Sequence, residues 1–352
     1  MLAVTFPEVG RFELREVPVP EPGPGFALIK VRSTTICATD MKILQGRFPG
    51  TRFPHIPGHE WSGEVVAVGP GVHSVQPGDR VGVEVHVGCG GCQPCLDGLY
   101  NLCENYGHPE RGHAHIGFTI PGGLAEYCAV PARALHKLPD HLSFDEGAFT
   151  DNVGVALWAV ERAELKPGEN VVVIGPGAIG LLALQIARAT AGRLVLVGTR
   201  EDRLRVGREL GADVTVNTRE VADPVEAVRE AFGGRGADAV IEFAGTGEAA
   251  QQALRMARRG GRVVLGGSTG QGAELHIELS TIVRGHLDVR GSLANPRWVS
   301  RRGVALMASG AVRIQPLITH HFPLSEFARA WDTFFQREGG AIRVMLHPGG
   351  AA

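Results

Sequence analysis

The 352-residue chain lacks an excess of charge of either sign: 35 Lys and Arg stand against 37 Asp and Glu, a formal net charge of −2. A balanced chain offers no electrostatic footprint to a polyanion or an anionic membrane, so neither nucleic acid nor a lipid surface is an expected partner. It also lacks an apolar run long enough to cross a bilayer, which takes about twenty residues. The longest run, Val171 to Ala187, is interrupted by Gly175-Pro176-Gly177 and by Gly180. A basic segment followed by an apolar one is missing from the start, where MLAVTFPEVGRFELREVPVP alternates apolar and polar residues around prolines. That stretch reads as opening β structure and not as a secretion signal, and the expected location is cytoplasmic.

Glycine and proline are plentiful, 49 and 22 residues, but they fall at turns between apolar runs and make no low-complexity tract. The length suits two domains, each able to bury its own core. Four of the six cysteines crowd into one stretch, GCGGCQPCLDGLYNLC. In a large chain expected to be cytoplasmic, thiols or metal ligands are better expected than disulfides. Cys89, Cys92, Cys95 and Cys103 follow C-x2-C-x2-C-x7-C, so one loop can fold back on a single ion. Zinc accepts four thiolates tetrahedrally. An iron–sulfur cluster is the rival, but the fourth cysteine is off the ferredoxin register and no proline follows it. A zinc with four protein ligands has no open position, so this lobe is read as structural and the chemistry is expected elsewhere.

Residues 1–152 read as short β segments punctuated by turns, a barrel-like domain with the lobe 88–103 inserted. Over residues 153–294 strands alternate with helices of ten to fifteen residues, including EAAQQALRMARRG as a helix, which predicts a parallel, doubly wound sheet. Residues 295–352 look helical, closed by a strand in AIRVMLHP, and could return to the first domain. GPGAIG (Gly175, Gly177, Gly180) follows an apolar strand and opens a helix. In that setting the glycines allow the tight turn, the close approach of a pyrophosphate and the packing of helix on strand. The helix N-terminus then offers N–H groups to the phosphates. The second strand ends in Gly198-Thr199-Arg200, with no carboxylate for a ribose 2′-hydroxyl. Arg200 there favours the 2′-phosphate of NADP over NAD, although Glu201 and Asp202 follow directly.

CATDMKI, PGHEWSGEVVAVG, the four-cysteine lobe, GGLAEY and the glycine turn occur in this order, and together the chain resembles the zinc-dependent alcohol dehydrogenases of the medium-chain dehydrogenase/reductase family. The resemblance spans nearly the whole chain and points to the bacterial polyol and threonine dehydrogenase branch. It implies an α/β protein with a GroES-like β-barrel catalytic domain and a Rossmann nucleotide domain, two zincs per chain, and a homo-tetramer or dimer. It implies that Cys37, His59 and Asp151 ligate a catalytic zinc, with Glu60 beside them as an exchangeable carboxylate. Thr39 matches the hydroxyl that passes the proton outward, and Asp40 the carboxylate that orients His59. Lys42 stands where the family often has a histidine, which leaves the proton exit open. Further cofactor contacts implied by position are Ala178, Ile179, Thr199, Arg203, Leu265, Gly266, Gly267, Ser292 and Leu293.

The function so implied is hydride transfer between NAD(P) and a secondary alcohol such as a polyol, sugar, cyclitol or amino alcohol. An NADPH-dependent carbonyl reductase of the same fold is the runner-up, and a catalytically silent nucleotide binder the third reading. A zinc-ribbon nucleic-acid binder is excluded by the lobe itself, which holds Asp97 and Glu104 and no Lys or Arg. His86, His108, His113 and His115 flank the lobe and read as exposed loop histidines. Cys128, in an apparent strand, reads as a buried apolar residue.

Overall fold

The computed structural model describes residues 1–48, 50–267 and 274–350. The chain divides into two compact units, one of Met1–Gly154 with Pro296–Ser309 and Ile314–Ala352, the other of Val155–Asn295 with Gly310–Arg313.

The first unit is built on a seven-stranded sheet in which Phe26–Thr35 is the central strand. It pairs antiparallel with Trp61–Val68, Tyr127–Pro131 and Arg343–His347. Alternate residues of Phe26–Thr35 turn inward, and Ala27, Ile29 and Val31 pack with Trp61, Val65, Val81 and Val130. A second core joins Val4, Phe6, Ile36 and Ile43 to Phe327, Trp331, Val344 and Leu346 of the C-terminal segment. That segment differs from the sequence expectation. Besides its helices and the closing strand it contains a further strand, Ile318–Pro323, parallel to Arg343–His347. Two histidines and a threonine occupy half of that strand, so its apolar alternation is too weak to read.

The second unit is a six-stranded parallel sheet in the order Val214–Asn217, Arg193–Gly198, Asn170–Ile174, Ala237–Glu242, Ala257–Leu265, Asp288–Gly291. Numbered along the chain this is the 3-2-1-4-5-6 order of a dinucleotide-binding sheet, with its switch point between Asn170–Ile174 and Ala237–Glu242. Strands buried on both faces carry near-continuous apolar runs, as Val171–Val173 and Leu194–Val197 do. The helix expected over EAAQQALRMARRG stops at Met256, and its last residues open the next strand. Arg258 there pairs with Asp238 of the neighbouring strand at 2.5 Å.

Candidate active site and metal centres

Strand Phe26–Thr35 leads directly into Cys37, the extended N-cap of helix Ala38–Leu44. Asp40, at the third position of that helix, reaches back so that Oδ2 accepts the Cys37 N–H at 2.8 Å. This cap fixes the thiol at the mouth of the helix. From the other side the chain arrives through Gly58, whose φ is +100° and where a Cβ would stand 2.5 Å from the Leu124 nitrogen. Only glycine makes that turn, and His59 and Glu60 follow it into strand Trp61–Val68. Cys37, His59 and Glu60 each bring one donor atom within 4.8 Å of the others.

The imidazole has a direction. His59 Nδ1 faces Asp40 Oδ1 at 3.4 Å, and Nε2 lies 3.7 Å from Glu60 Oε1. Burial opposes a charge on His59, but Cys37 and Asp40 outweigh it and hold the pKa well above the ordinary value. Glu60 is gripped by three donors: Arg343 Nη2 at 3.0 Å, Asn152 Nδ2 at 2.8 Å and the Thr35 hydroxyl. Burial works against its ionisation, yet Arg343 and His59 hold its pKa below the usual carboxylate range. Arg343 also donates to the Ile36 carbonyl at 3.2 Å and is itself buried. Like Asn152 and Thr35, it is a site residue that sequence reasoning missed. The available signal was a lone arginine inside the apolar closing strand, since a buried cation demands a buried anion.

A thiolate, an imidazole and a carboxylate suit zinc. The buried pair His59 Nδ1 and Asp40 Oδ1 makes no other hydrogen bond. It fits a ring whose Nε2 faces an ion while Nδ1–H is directed at a carboxylate. Thr39 Oγ1 lies 3.5 Å from Cys37 Sγ. Asp151 differs from the sequence expectation in one respect: it is not a member of the group that converges within 4.8 Å. It is buried in the first turn of helix Thr150–Arg162, and its Oδ1 accepts the Val85 N–H at 3.1 Å. Burial pushes its pKa up to about 7, with His59 opposing and Glu60 and Glu84 adding to the shift.

The histidines beside the lobe also depart from expectation. His108 is exposed, but His86, His113 and His115 are buried. The His86 and His115 rings stack at 4.2 Å, and His115 stacks on Phe118 at 3.7 Å, which in turn meets the His59 ring at 4.7 Å. Burial, followed by neighbouring histidines, lowers His86 to about 3 and keeps His115 well below its ordinary value. Burial lowers His113 to about 4, with Arg133 adding to the shift. The short strands His86–Val87 and Ala114–His115 pair and turn these rings inward, a contact between distant residues that local polarity cannot reveal.

In the lobe the four sulfurs of Cys89, Cys92, Cys95 and Cys103 also converge within 4.8 Å. Cys92 Sγ and Cys103 Sγ are 3.8 Å apart. Two thiolates on one tetrahedral zinc stand about 3.8 Å apart, given Zn–S bonds of 2.3 Å. A Cβ at Gly88 would lie 2.6 Å from Cys95 Sγ, so glycine there makes room for the sulfur. The Gly91 N–H and the Asn105 side chain hold Cys89 down at about 6, while burial pushes Cys95 up to about 12. Cys128 is buried in strand Tyr127–Pro131, and burial raises its thiol to about 12.

In the second unit, helix Ala178–Arg188 begins at Gly177, where a Cβ would meet nothing within 4 Å. Gly175 has φ +99°, and a Cβ on Gly180 would lie 1.9 Å from the Gly175 oxygen. The turn is thus tight on its protein side and open where a phosphate approaches. Gly198 ends its strand against Pro176, whose Cγ would be 2.4 Å from an added Cβ. Packing excludes an aspartate there. Arg200 caps helix Glu201–Glu209 and Thr199 is exposed; Arg203 lies in the first turn of that helix, and Glu201 is engaged by Arg208. Leu265 ends the fifth strand and Gly266 and Gly267 follow it, and Ser292 N–H donates to the Leu265 carbonyl at 2.9 Å. Leu293, next in the chain, is exposed, and Ile179 follows Ala178 in the first helical turn. Sequence reasoning also passed over Glu242, a buried carboxylate that accepts the Gly245 N–H at 2.7 Å and braces this rim.

Comparison with known proteins agrees with this geometry. Residues 23–140 match the alcohol dehydrogenase GroES-like domain, and residues 178–308 match the zinc-binding dehydrogenase domain. The chain belongs to the zinc-binding dehydrogenases of the medium-chain family. It is 33% identical to a sorbitol dehydrogenase of Halalkalibacterium halodurans over 96% of both chains. It is 34% identical to an L-threonine 3-dehydrogenase of Pyrococcus furiosus over 97% of both. Among solved structures it superimposes on a zinc-binding dehydrogenase of Sinorhizobium meliloti 1021 bound to NADP, with TM-score 0.91, 35% identity and 99% of each chain covered.

Proposed function

We propose that the protein is a zinc-dependent dehydrogenase that interconverts a secondary alcohol on a polar skeleton and its ketone, with NADP preferred to NAD. The observation that carries this reading is the convergence of half-buried Cys37 with buried His59 and Glu60, with Asp40 behind the imidazole. Cys37 and His59 would hold the catalytic zinc together with one carboxylate, Glu60 or Asp151 in exchange, which leaves the fourth position for substrate. The four lobe cysteines would hold a second, structural ion. When bound, the zinc supplies a Lewis acid for the alcohol or carbonyl oxygen, and the dinucleotide accepts or returns the hydride.

The chain's own residues do the rest. Asp40 fixes the tautomer and aim of His59. Arg343, Asn152 and Thr35 keep Glu60 ionised despite its burial. Thr39, beside the thiolate, takes the substrate proton towards solvent, with Lys42 on the same helix a candidate relay.

The sorbitol and threonine dehydrogenases among the relatives support a polyol or an amino alcohol as substrate. The absence of a carboxylate at Gly198, and the engagement of Glu201 by Arg208, support NADP. They also favour the NADPH-dependent carbonyl reduction direction as a second reading. By its resemblance to the family we take it to be a cytoplasmic homo-tetramer or dimer, and its balanced charge fits a small-molecule substrate better than a polyanion. Among the described residues no helix is long and apolar enough to cross a membrane.

The test is a panel of polyols, sugars, cyclitols and threonine assayed with NAD and with NADP. We expect turnover with NADP, and in Arg200→Ala a KM for NADP raised roughly tenfold or more while that for NAD stays unchanged, as befits one charge-assisted hydrogen bond. No turnover on any of these by protein carrying two zincs, or equal KM shifts for both cofactors, would refute the reading.

A further inference from the structure

The first unit contains a third convergence of metal-ligating side chains, apart from the two already described. Asp145 in the short helix Phe144–Gly147, His321 in strand Ile318–Pro323 and His347 at the end of Arg343–His347 bring one donor atom each within 4.8 Å of one another. His321 Nδ1 and His347 Nε2 are 3.2 Å apart, and the ring planes are within 6° of parallel. Asp145 Oδ2 stands 3.7 Å from His321 Nδ1, and Oδ1 stands 3.8 Å from His347 Nδ1. None of the three lies in the cysteine lobe or takes part in the network around Glu60.

We propose that Asp145, His321 and His347 form a site for a divalent transition cation of the zinc type. Two imidazoles and a carboxylate are the donors such ions prefer over calcium or magnesium. Two nitrogens on one tetrahedral zinc stand about 3.3 Å apart, given bonds of 2.0–2.1 Å, so the imidazole pair already has the right spacing. The ion takes the place of the hydrogen bond between these two nitrogens. The side chains have to reorient to share one ion, because Asp145 approaches His347 at Nδ1 while Nε2 is the nitrogen that faces His321. The other duty of Asp145 is compatible with binding. Oδ1 accepts the Ser33 hydroxyl at 2.5 Å, which orients the carboxylate from behind. His347 is nearly buried, whereas half of the His321 side chain is exposed. The site is therefore anchored from within and open to solvent at one ligand, where an ion can enter.

The three residues come from widely separated parts of the sequence. An ion held by them closes a long loop and ties the C-terminal strand pair to the helix Phe144–Gly147 and, through Ser33, to strand Phe26–Thr35. The site's role is therefore to clip the C-terminal segment to the barrel, and chemistry at Cys37 does not depend on it.

The experiment is equilibrium dialysis of the full-length, purified protein against Zn2+ alone, with bound metal counted per chain, for wild type, His321→Ala and His320→Ala. His321 is exposed enough for its alanine variant to fold, and His320, whose ring bonds Thr319 at 3.0 Å, is the neighbouring control. Wild type and His320→Ala are expected to bind one zinc more than His321→Ala, whatever the total. Asp145→Asn is expected to weaken the same zinc by about tenfold or more. Added Zn2+ should raise the unfolding temperature of wild type by about 3 °C over that of His321→Ala, with equal turnover in the two. Equal zinc counts in wild type and His321→Ala, or a loss shared by His320→Ala, would overturn the site, whether or not the dehydrogenase reading stands.

Discussion

The four-cysteine lobe and the Cys37–His59–Glu60 cluster are both sets of side chains converging within 4.8 Å, yet they are made in opposite ways. The lobe gathers its ligands from fifteen consecutive residues on a loop, and turns and short helices suffice to close it. The cluster takes its ligands from separate segments and braces them with Asp40, Asn152, Thr35 and Arg343, the last from the closing strand. A local site is saturated by its own ligands and can only hold structure. A site assembled from distant segments can keep a position free for substrate, because tertiary packing and not the ion holds its ligands in place.

The largest effect expected from this contrast is a crossed pair of variants. Cys37→Ser should lower kcat/KM on the order of a thousandfold, the loss of several kcal/mol of electrophilic stabilisation, with little change in unfolding temperature. Cys95→Ala should leave turnover per folded molecule close to wild type and lower the unfolding temperature by about 10 °C, since a structural metal contributes folding free energy directly. Activity assays and thermal unfolding on the same preparations decide it. If the two variants change both quantities alike, the division into catalytic and structural centres fails.

A smaller effect tests the bracing. Asp40→Asn keeps the shape of the helix cap but weakens the acceptor facing His59 Nδ1. Loss of such a partner typically costs 10–100-fold in metal affinity. Competition with a chelator should therefore strip one zinc from the variant about that much more readily, while the lobe's zinc is retained. Loss of both ions, or of neither, would mean that Asp40 only caps its helix.

The smallest effect concerns the acid side of the buried cluster. At pH 5 the unfolded chain protonates His86 and the folded chain does not, because burial lowers it to about 3. Unfolding then takes up a proton, so this contribution is fully present above pH 6.5 and is lost as the pH falls towards 3. Replacing His86 by Gln, which does not titrate, should recover about 2 kcal/mol of the stability lost between pH 7 and pH 5. Urea unfolding at the two pH values measures this, and an unchanged pH dependence would show that His86 is solvated in the native protein.

How much was legible follows the same division. The lobe, the glycine turn and the alternation of strand and helix are carried by neighbouring residues, and each could be read where it stood. Gly198 could be seen as a missing carboxylate, but its cause, the ring of Pro176, lies across a turn. The three buried histidines were misjudged because polar loop composition says nothing of the pairing between His86–Val87 and Ala114–His115. Arg343 was missed for a related reason. Its meaning depends on Glu60, with which it pairs only once strand Arg343–His347 has docked on Phe26–Thr35.

By itself the sequence determined two kinds of unit, a dinucleotide-type sheet and a barrel carrying metal-ligand motifs, because periodicity and spacing act over a few residues at a time. Tertiary structure alone decided which carboxylate stands with Cys37 and His59, which histidines leave the solvent, and that Asp145, His321 and His347 meet at all. Those outcomes depend on which distant strands pair and on the loss of water from the space between them, and neither is a property of any short stretch of chain.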